Sequence, residues 1–231
     1  VNEHPNITVD VGQVMFGKTT SMTGDGPLGY FLSKVYGGKW FSADTEMESG
    51  CGITPIKYRN KSLVHSLQWA IGLEWYLLID DPWQVMMSTD HPNGGSFLAY
   101  PQIIRLLMDR EFRRETFARC PADVRERCIL GDLDREYTLG EIAIITRSGP
   151  ARALGLQQKG HLGPGADADV TIYTPSENYQ EMFELPRMVI KAGETIVDQG
   201  ELRATPGGGA KDRAQLSRAL IRIARRRRRR W

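Results

Sequence analysis

The stretch STDHPNGG (88–95) follows the apolar run WQVMM (83–87) and packs an acid, a histidine, a proline, an amide and two glycines into one short turn. An aspartate at the C-terminal end of a buried strand can ligate a metal through one carboxylate oxygen and take a proton with the other. Hydrolysis of an amide uses both abilities: a metal-acidified water attacks, and a base returns the proton to the leaving nitrogen. Asp90 stands where that chemistry belongs if WQVMMST (83–89) is a strand of a β/α barrel, because such barrels gather their chemistry at the strands' C-terminal ends. The same residue types also build an ordinary turn, with Asp90 accepting backbone N–H bonds around Pro92 and Asn93. Spacing alone leaves both readings open. His91 points away from Asp90 if both are in the strand, since neighbouring strand residues face opposite sides, yet it can reach a substrate from the loop.

The remaining histidines add little. His65 lies in an apolar helical stretch, His161 in the loop KGHLGPG, and His4 before the first strand. None shows the HxH or HExxH spacing of a metal site, so this chain does not hold a complete one. Three cysteines, Cys51, Cys120 and Cys128, lack CxxC spacing and would leave one thiol over after any pairing; reduced thiols in a cytoplasmic protein follow. The segment ESGCG (48–52) lines a pocket or makes a tight turn, and Cys51 reads as a buried small side chain. GPGADADVTIY is a turn before a strand, without the Lys-Ser/Thr ending of a phosphate loop.

The elements that would position Asp90 follow from periodicity. ITVDVGQVMF (7–16) is β-branched and apolar and suits a buried strand with both faces covered. GKTTSMTGDGPLG (17–29) reads as a long loop, 30–35 as a short helix, and 37–62 as irregular. Tyr30, Phe31, Tyr36, Trp40, Phe41 and Tyr58 argue that this region is ordered. LVHSLQWAIGLEWYLLI (63–79) repeats its apolar residues at helical intervals and ends before Asp80-Asp81-Pro82. Pro101 opens a helix running through PQIIRLLMDREFRRETFA, with Ile103, Ile104, Leu107 and Phe112 near one face. Thr138 and Glu141 form a capping box ahead of a helix through Leu156. Strand, loop, helix, strand, loop, helix is the rhythm of a β/α barrel. A short strand at 167–173 and a hairpin at 186–202, bending at Ala192-Gly193, make a smaller β unit.

Bulk properties bound the alternatives. The 231 residues are 41% hydrophobic with five tryptophans, enough for a substantial core, and no apolar run approaches the length of a membrane span. The formal net charge of +2 averages two unlike parts. Residues 205–231 hold ten Lys or Arg against Asp212 alone, a net +9, which leaves the body acidic at −7. A run such as ARRRRRR can bind nucleic acid, but without interleaved aromatics or a recognised module it reads as a solvated tail. It also has the composition of GC-rich DNA translated out of frame from about Ala204. The start at Val1, with a polar lead into a strand, suggests a piece of a longer protein.

The motifs HPNITVDVGQVMFG, ESGCGITP, LQWAIGLE, LLIDDPW, STDHPNGGSFLAYP, LDREYTLGEIAIITRSGPARALGL and KGHLGPGADADVTIY together resemble the hydrolase-type subunit family of formylmethanofuran dehydrogenase, within the amidohydrolase superfamily. GGSFLAYP is nearest to its bacterial formyltransferase/hydrolase type. The resemblance runs from about residue 2 to 203 and stops at the basic tail. It implies an α/β fold: the C-terminal part of an amidohydrolase-type (β/α)8 TIM barrel within 1–160, part of a small β-sandwich in 161–204, and a tail at 205–231. Residues 7–16 would be the seventh barrel strand, 83–89 the eighth, and 167–202 would return to the sandwich. It implies a binuclear zinc site to which Asp90 contributes both a ligand and the catalytic base, with the other ligands before Val1. It implies substrate contacts from His91 and Asn93 on the loop. The implied reaction is reversible hydrolysis of N-formylmethanofuran or the methylofuran analogue to formate and free amine. Partners would be a formyltransferase in bacteria, or a molybdenum or tungsten subunit in archaea. On this reading Asp90 is catalytic, and the chain alone should be inactive, poorly soluble and unable to bind stoichiometric zinc. A scaffold subunit that keeps the barrel shape without the metal site is the alternative.

Overall fold

The computed structural model describes residues 1–23 and 52–204. The helix expected at 30–35, Cys51 and the basic tail lie outside the described residues. Two compact units divide the chain, Val1–Leu156 and Gln157–Trp231.

In the first unit, β1 (Val9–Gly12) and β4 (Val85–Ser88) pair in parallel, Val9 opposite Val85 through Gly12 opposite Ser88. Parallel neighbours need a long crossover, and α1 (Leu63–Leu78) supplies it. Ser62 caps α1, its hydroxyl accepting the His65 N–H. Side chains alternate along a strand, so Val11 and Gln13 on one strand and Val85, Met87 and Thr89 on the other are buried. Against that side α1 packs Trp69, Leu73 and Tyr76, each with no exposed surface. Each such side chain contributes roughly 1.5–3 kcal/mol by leaving water. Helix and strand are tied by the Tyr76 hydroxyl, which donates to the Val11 carbonyl at 3.0 Å, and Tyr137 in turn donates to the Tyr76 carbonyl at 2.6 Å. Burial holds the Tyr76 hydroxyl well above the usual tyrosine pKa, so it remains a donor.

The stretch after β1 is not the loop that its glycines and hydroxyls suggest. Gly17–Thr23 is a strand, β2, paired antiparallel with β3 (Gly52–Tyr58). Its threonines favour extended backbone, and its partner lies too far along the chain for a short-range hairpin signal.

After β4 the helical segment is broken where one helix was expected. α2 (Tyr100–Met108) and α3 (Arg110–Ala118) meet at Asp109, which ends the first and caps the second. Its carboxylate accepts the Phe112 N–H at 2.8 Å and pairs with Arg105 at 3.1 Å. Asp109 is an N-cap residue type, and its extended backbone interrupts the helix. Phe112 is consequently half-buried, while Arg113 and Phe117 are buried. The Arg113 guanidinium donates to the carbonyls of Leu106, Leu133 and Arg135, fastening α2 to the following turn. A short helix, α4 (Ala122–Arg127), comes next.

The expected capping box is present. Thr138 Oγ1 accepts the Glu141 N–H at 3.2 Å, and Glu141 Oε2 accepts the Thr138 N–H at 2.8 Å. It opens α5 (Leu139–Ala143), which runs through a π-helical turn (Ile144–Ser148) into α6 (Gly149–Ala153). Partial burial pushes the Glu141 carboxyl up. Hydrogen bonds from Thr138 and Arg135 and the Arg135 charge outweigh that and leave it below the ordinary glutamate value. A carboxyl lowered by folding contributes stability above its unfolded pKa and loses it as pH falls through the folded value. Glu141→Gln should therefore melt below wild type at pH 7, with the gap closing below about pH 4. Melting curves at the two ends of that range check this; a gap independent of pH would contradict it.

The second unit holds a four-stranded antiparallel sheet, β5 (Val170–Ile172), β6 (Met188–Lys191), β7 (Glu194–Asp198) and β8 (Glu201–Leu202), in that order. The hairpin turns at Ala192 and Gly193, both in the left-handed region. A helix that periodicity did not reveal, α7 (Tyr179–Glu184), is capped by Asn178. Asp169 accepts hydrogen bonds from Lys159, Lys191 and the Ala192 N–H, which drive its carboxyl far below the usual range. Among the described residues no helix is long and apolar enough to cross a membrane.

Candidate functional site

The strand ends of β1 and β4 are closed by the turn at 89–95. The Gly95 N–H returns to the Thr89 carbonyl at 3.0 Å, and the Met15 N–H reaches the Gly94 carbonyl at 3.0 Å, so the turn spans both strands. Gly94 is necessary there: a Cβ would stand 2.6 Å from the Thr89 carbonyl oxygen and 3.0 Å from those of Gly12 and Gln13. The His91–Pro92 peptide is cis. Thr19 of β2 donates its hydroxyl to the Pro92 carbonyl, joining the β2–β3 pair to the turn.

Asp90 is exposed, two residues beyond the end of β4, in the left-handed region at φ 46°. Aspartate and asparagine tolerate that conformation better than other residues with a side chain. Its backbone carbonyl, not its carboxylate, accepts the Asn93 N–H and closes the turn. Carboxylate Oδ2 accepts the Asn93 side-chain amide at 3.1 Å. The main chain thus makes the turn, and Asn93 holds one oxygen of the acid.

The expected site residues therefore divide. Asp90 and Asn93 are brought together. The His91 ring packs edge-on against Phe97, centroids 5.0 Å apart. His65 is a structural group near the start of α1, where Nδ1 accepts the Arg59 N–H at 3.0 Å and the ring meets Tyr58. Burial, then the Arg59 charge, lowers its pKa. His161, in the second unit, accepts the Gly163 N–H.

Three further residues face the same side as Asp90 and do not stand out in the sequence. Alternation puts Asp10 and Gly12 of β1, and Ser88 of β4, on the face opposite Val11 and Met87. A Cβ on Gly12 would come within 3.0 Å of the Asp90 Cβ, so the glycine makes room for the acid. Ser88 Oγ accepts the Asp90 N–H at 2.9 Å. Partial burial pushes the Asp10 carboxyl up and the Asp90 charge adds to this, while the nearby Ser88 hydroxyl opposes them. The alternation V-D-V-G is the available signal; reading the strand as covered on both faces hides it.

A carboxylate oxygen is a hard donor suited to a divalent cation, so Asp90 fits as one ligand. Among the described residues no three His, Cys, Asp or Glu come together as a metal-binding group.

Known proteins are similar to this chain in sequence and in fold. The chain is 46% identical over 208 residues to the A component of the formyltransferase/hydrolase complex Fhc of Methylorubrum extorquens, and 41% identical over 210 residues to protein FwdA of Methanocaldococcus jannaschii. Each match covers 87% of this chain and 37% of the relative. The crystal structure of the M. extorquens complex FhcABCD with methylofuran matches with TM-score 0.78 and 46% identity, over 87% of this chain and 37% of that one. The chain thus spans well under half the length of these relatives. A family model described as Amidohydrolase family matches residues 1–198, and the chain belongs to that family.

Proposed function

We propose that this chain forms part of a zinc-dependent amidohydrolase subunit that cleaves a furan-amine formamide reversibly, with Asp90 as metal ligand and base. The balanced reaction takes R–NH–CHO and water to formate and R–NH3⁺. One observation carries the reading: an exposed carboxylate just past the end of a parallel strand, in a turn that the backbone closes without it. The similarity to the M. extorquens Fhc protein, from a complex crystallised with methylofuran, supplies the substrate class. On this reading β1 and β4 are the last strands of a β/α barrel, the second unit is part of a sandwich, and the remaining metal ligands lie in the relatives' length that this chain does not span.

Asp90 would hold one zinc ion, whose chemistry there would be to acidify a water and polarise the formyl carbonyl. Asp90 takes the proton released as the water attacks and delivers it to the nitrogen as the C–N bond breaks. Asn93 holds Oδ2 and so fixes which way the carboxylate is turned. His91, beside Phe97, borders the place of the furan carrier. The reading carries with it a multisubunit complex and a cytoplasmic setting, in which the free Cys120 and Cys128 stay reduced.

The test is formate and amine release from N-formylmethylofuran and N-formylmethanofuran by the complete protein in its complex. Equal amounts of the two products support the reading. A zinc-loaded complex that releases neither overturns it and leaves a scaffold subunit.

A further inference from the structure

The turn that carries Asp90 is held from a third strand as well as from the two whose ends it closes. The Met15 and Gly95 N–H groups fasten it to β1 and β4 through the Gly94 and Thr89 carbonyls. A further bond comes from β2, whose Thr19 hydroxyl donates to the Pro92 carbonyl across 73 residues of chain. That carbonyl belongs to the Pro92–Asn93 peptide, which is trans, so its C=O and N–H point in opposite directions within one plane. Holding the C=O toward Thr19 turns the Asn93 N–H the other way, where it donates to the Asp90 carbonyl at 2.5 Å. The Asn93 side chain donates to Asp90 Oδ2 at 3.1 Å. Asn93 thus grips Asp90 twice, at the main chain and at the carboxylate, and Thr19 fixes the peptide plane that leads into Asn93. The grip matters because Asp90 has a left-handed backbone, φ 46°. Such a conformation persists in a residue with a side chain only where the surroundings hold it. Thr19 is itself placed opposite Ile56 of β3, so the β2–β3 pair reaches the acid through one hydroxyl.

We propose that Thr19 is a positioning residue for Asp90, acting through the Pro92–Asn93 peptide. Its effect on turnover rests on the reading of Asp90 given above; its hold on the turn does not. Groups that orient a metal-binding side chain typically matter roughly 10- to 100-fold without touching substrate.

The experiment compares Thr19→Val with Thr19→Ser in the complete protein within its complex. Valine keeps the β-branched shape that suits a strand and removes the donor, whereas serine keeps the donor. Three quantities are read: formamide turnover, the visible spectrum of the cobalt(II)-substituted protein, and hydrogen exchange of the Asn93 amide. Thr19→Val should lose roughly 10- to 100-fold in kcat with KM nearly unchanged. Its cobalt spectrum should shift, and its Asn93 amide should exchange roughly 2- to 10-fold faster, the range lost with one hydrogen bond. Thr19→Ser should stay close to wild type in all three. A valine variant that matches wild type in turnover, spectrum or exchange overturns the proposal. So does a serine variant impaired as much as valine, because shape and not the donor would then matter. A valine variant that fails to assemble overturns it as well, since the bond would then hold the fold and not the acid. A wild-type complex that binds cobalt but releases no formate removes the formamide reading, and spectrum and exchange then decide the positioning. A wild type that binds no cobalt removes the zinc reading too, and exchange alone decides.

Discussion

Asp90→Asn in the complete protein is expected to lower kcat for formamide hydrolysis by roughly 100- to 10,000-fold, the range lost with a general acid–base group. Asparagine suits this test because it tolerates the left-handed backbone at φ 46° and can still accept the Asn93 amide through its own carbonyl oxygen. The turn should therefore survive, and circular dichroism and melting temperature should stay near wild type. What disappears is the negative charge and the ability to carry a proton. Weaker zinc retention should accompany the kinetic loss, because a neutral amide is a poorer ligand than a carboxylate. Alanine would be less informative, since it adds backbone strain at a positive φ. Metal analysis and single-turnover formate release on the same preparation separate the two roles. An asparagine variant with wild-type turnover would remove Asp90 from the chemistry, whatever the fold.

What can be read in the sequence follows from where its signals are local. Asp90 is legible because its strand, its turn residues and the helix opened by Pro101 lie within one short stretch. The capping box at Thr138 and Glu141 and the hairpin at Ala192-Gly193 are legible for the same reason. Strand β2 is not: its partner β3 lies beyond a long intervening segment, and a proline at 55 argues against a strand where edge pairing in fact tolerates one. The break at Asp109 is hidden because apolar residues continue at helical intervals on both sides, although the aspartate itself is the cap. Asn178, with Glu181 three residues later, marks α7 in the same way. Asp10 is missed by an error of face. A run rich in valine suggests a strand covered on both sides, whereas the structure covers only the side of Val11 and Gln13. The bonds on Asp90 from Ser88 and Asn93 are local, but the close approach of Gly12 to Asp90 crosses between strands, and no local pattern encodes that register.

Gly94→Ala is expected to damage both stability and activity, for a reason that involves no polar group. The added methyl would stand 2.6 Å from the Thr89 carbonyl oxygen and 3.0 Å from those of Gly12 and Gln13. All three are backbone atoms at the ends of β1 and β4, so none can swing aside as a long side chain would. The turn must lift, stretching the bonds from Gly95 to Thr89 and from Met15 to Gly94. Forcing a methyl into such a contact costs about 1–3 kcal/mol, which corresponds to a melting temperature lower by roughly 2–12 °C for a protein of this size. Asp90 moves with the turn, and a displacement on the order of 1 Å can cost about 100-fold in rate. The neighbouring glycine supplies the control. A Cβ at Gly95 would meet only the Met15 side chain, at 3.4 Å and 3.6 Å, and the Gln13 carbonyl oxygen at 3.9 Å. Gly95→Ala should accordingly melt and turn over close to wild type. Equal behaviour of the two variants would mean that the 89–95 turn is not held by its close approach to the strand ends. The position of Asp90 would then have to be set by the Ser88 and Asn93 hydrogen bonds alone.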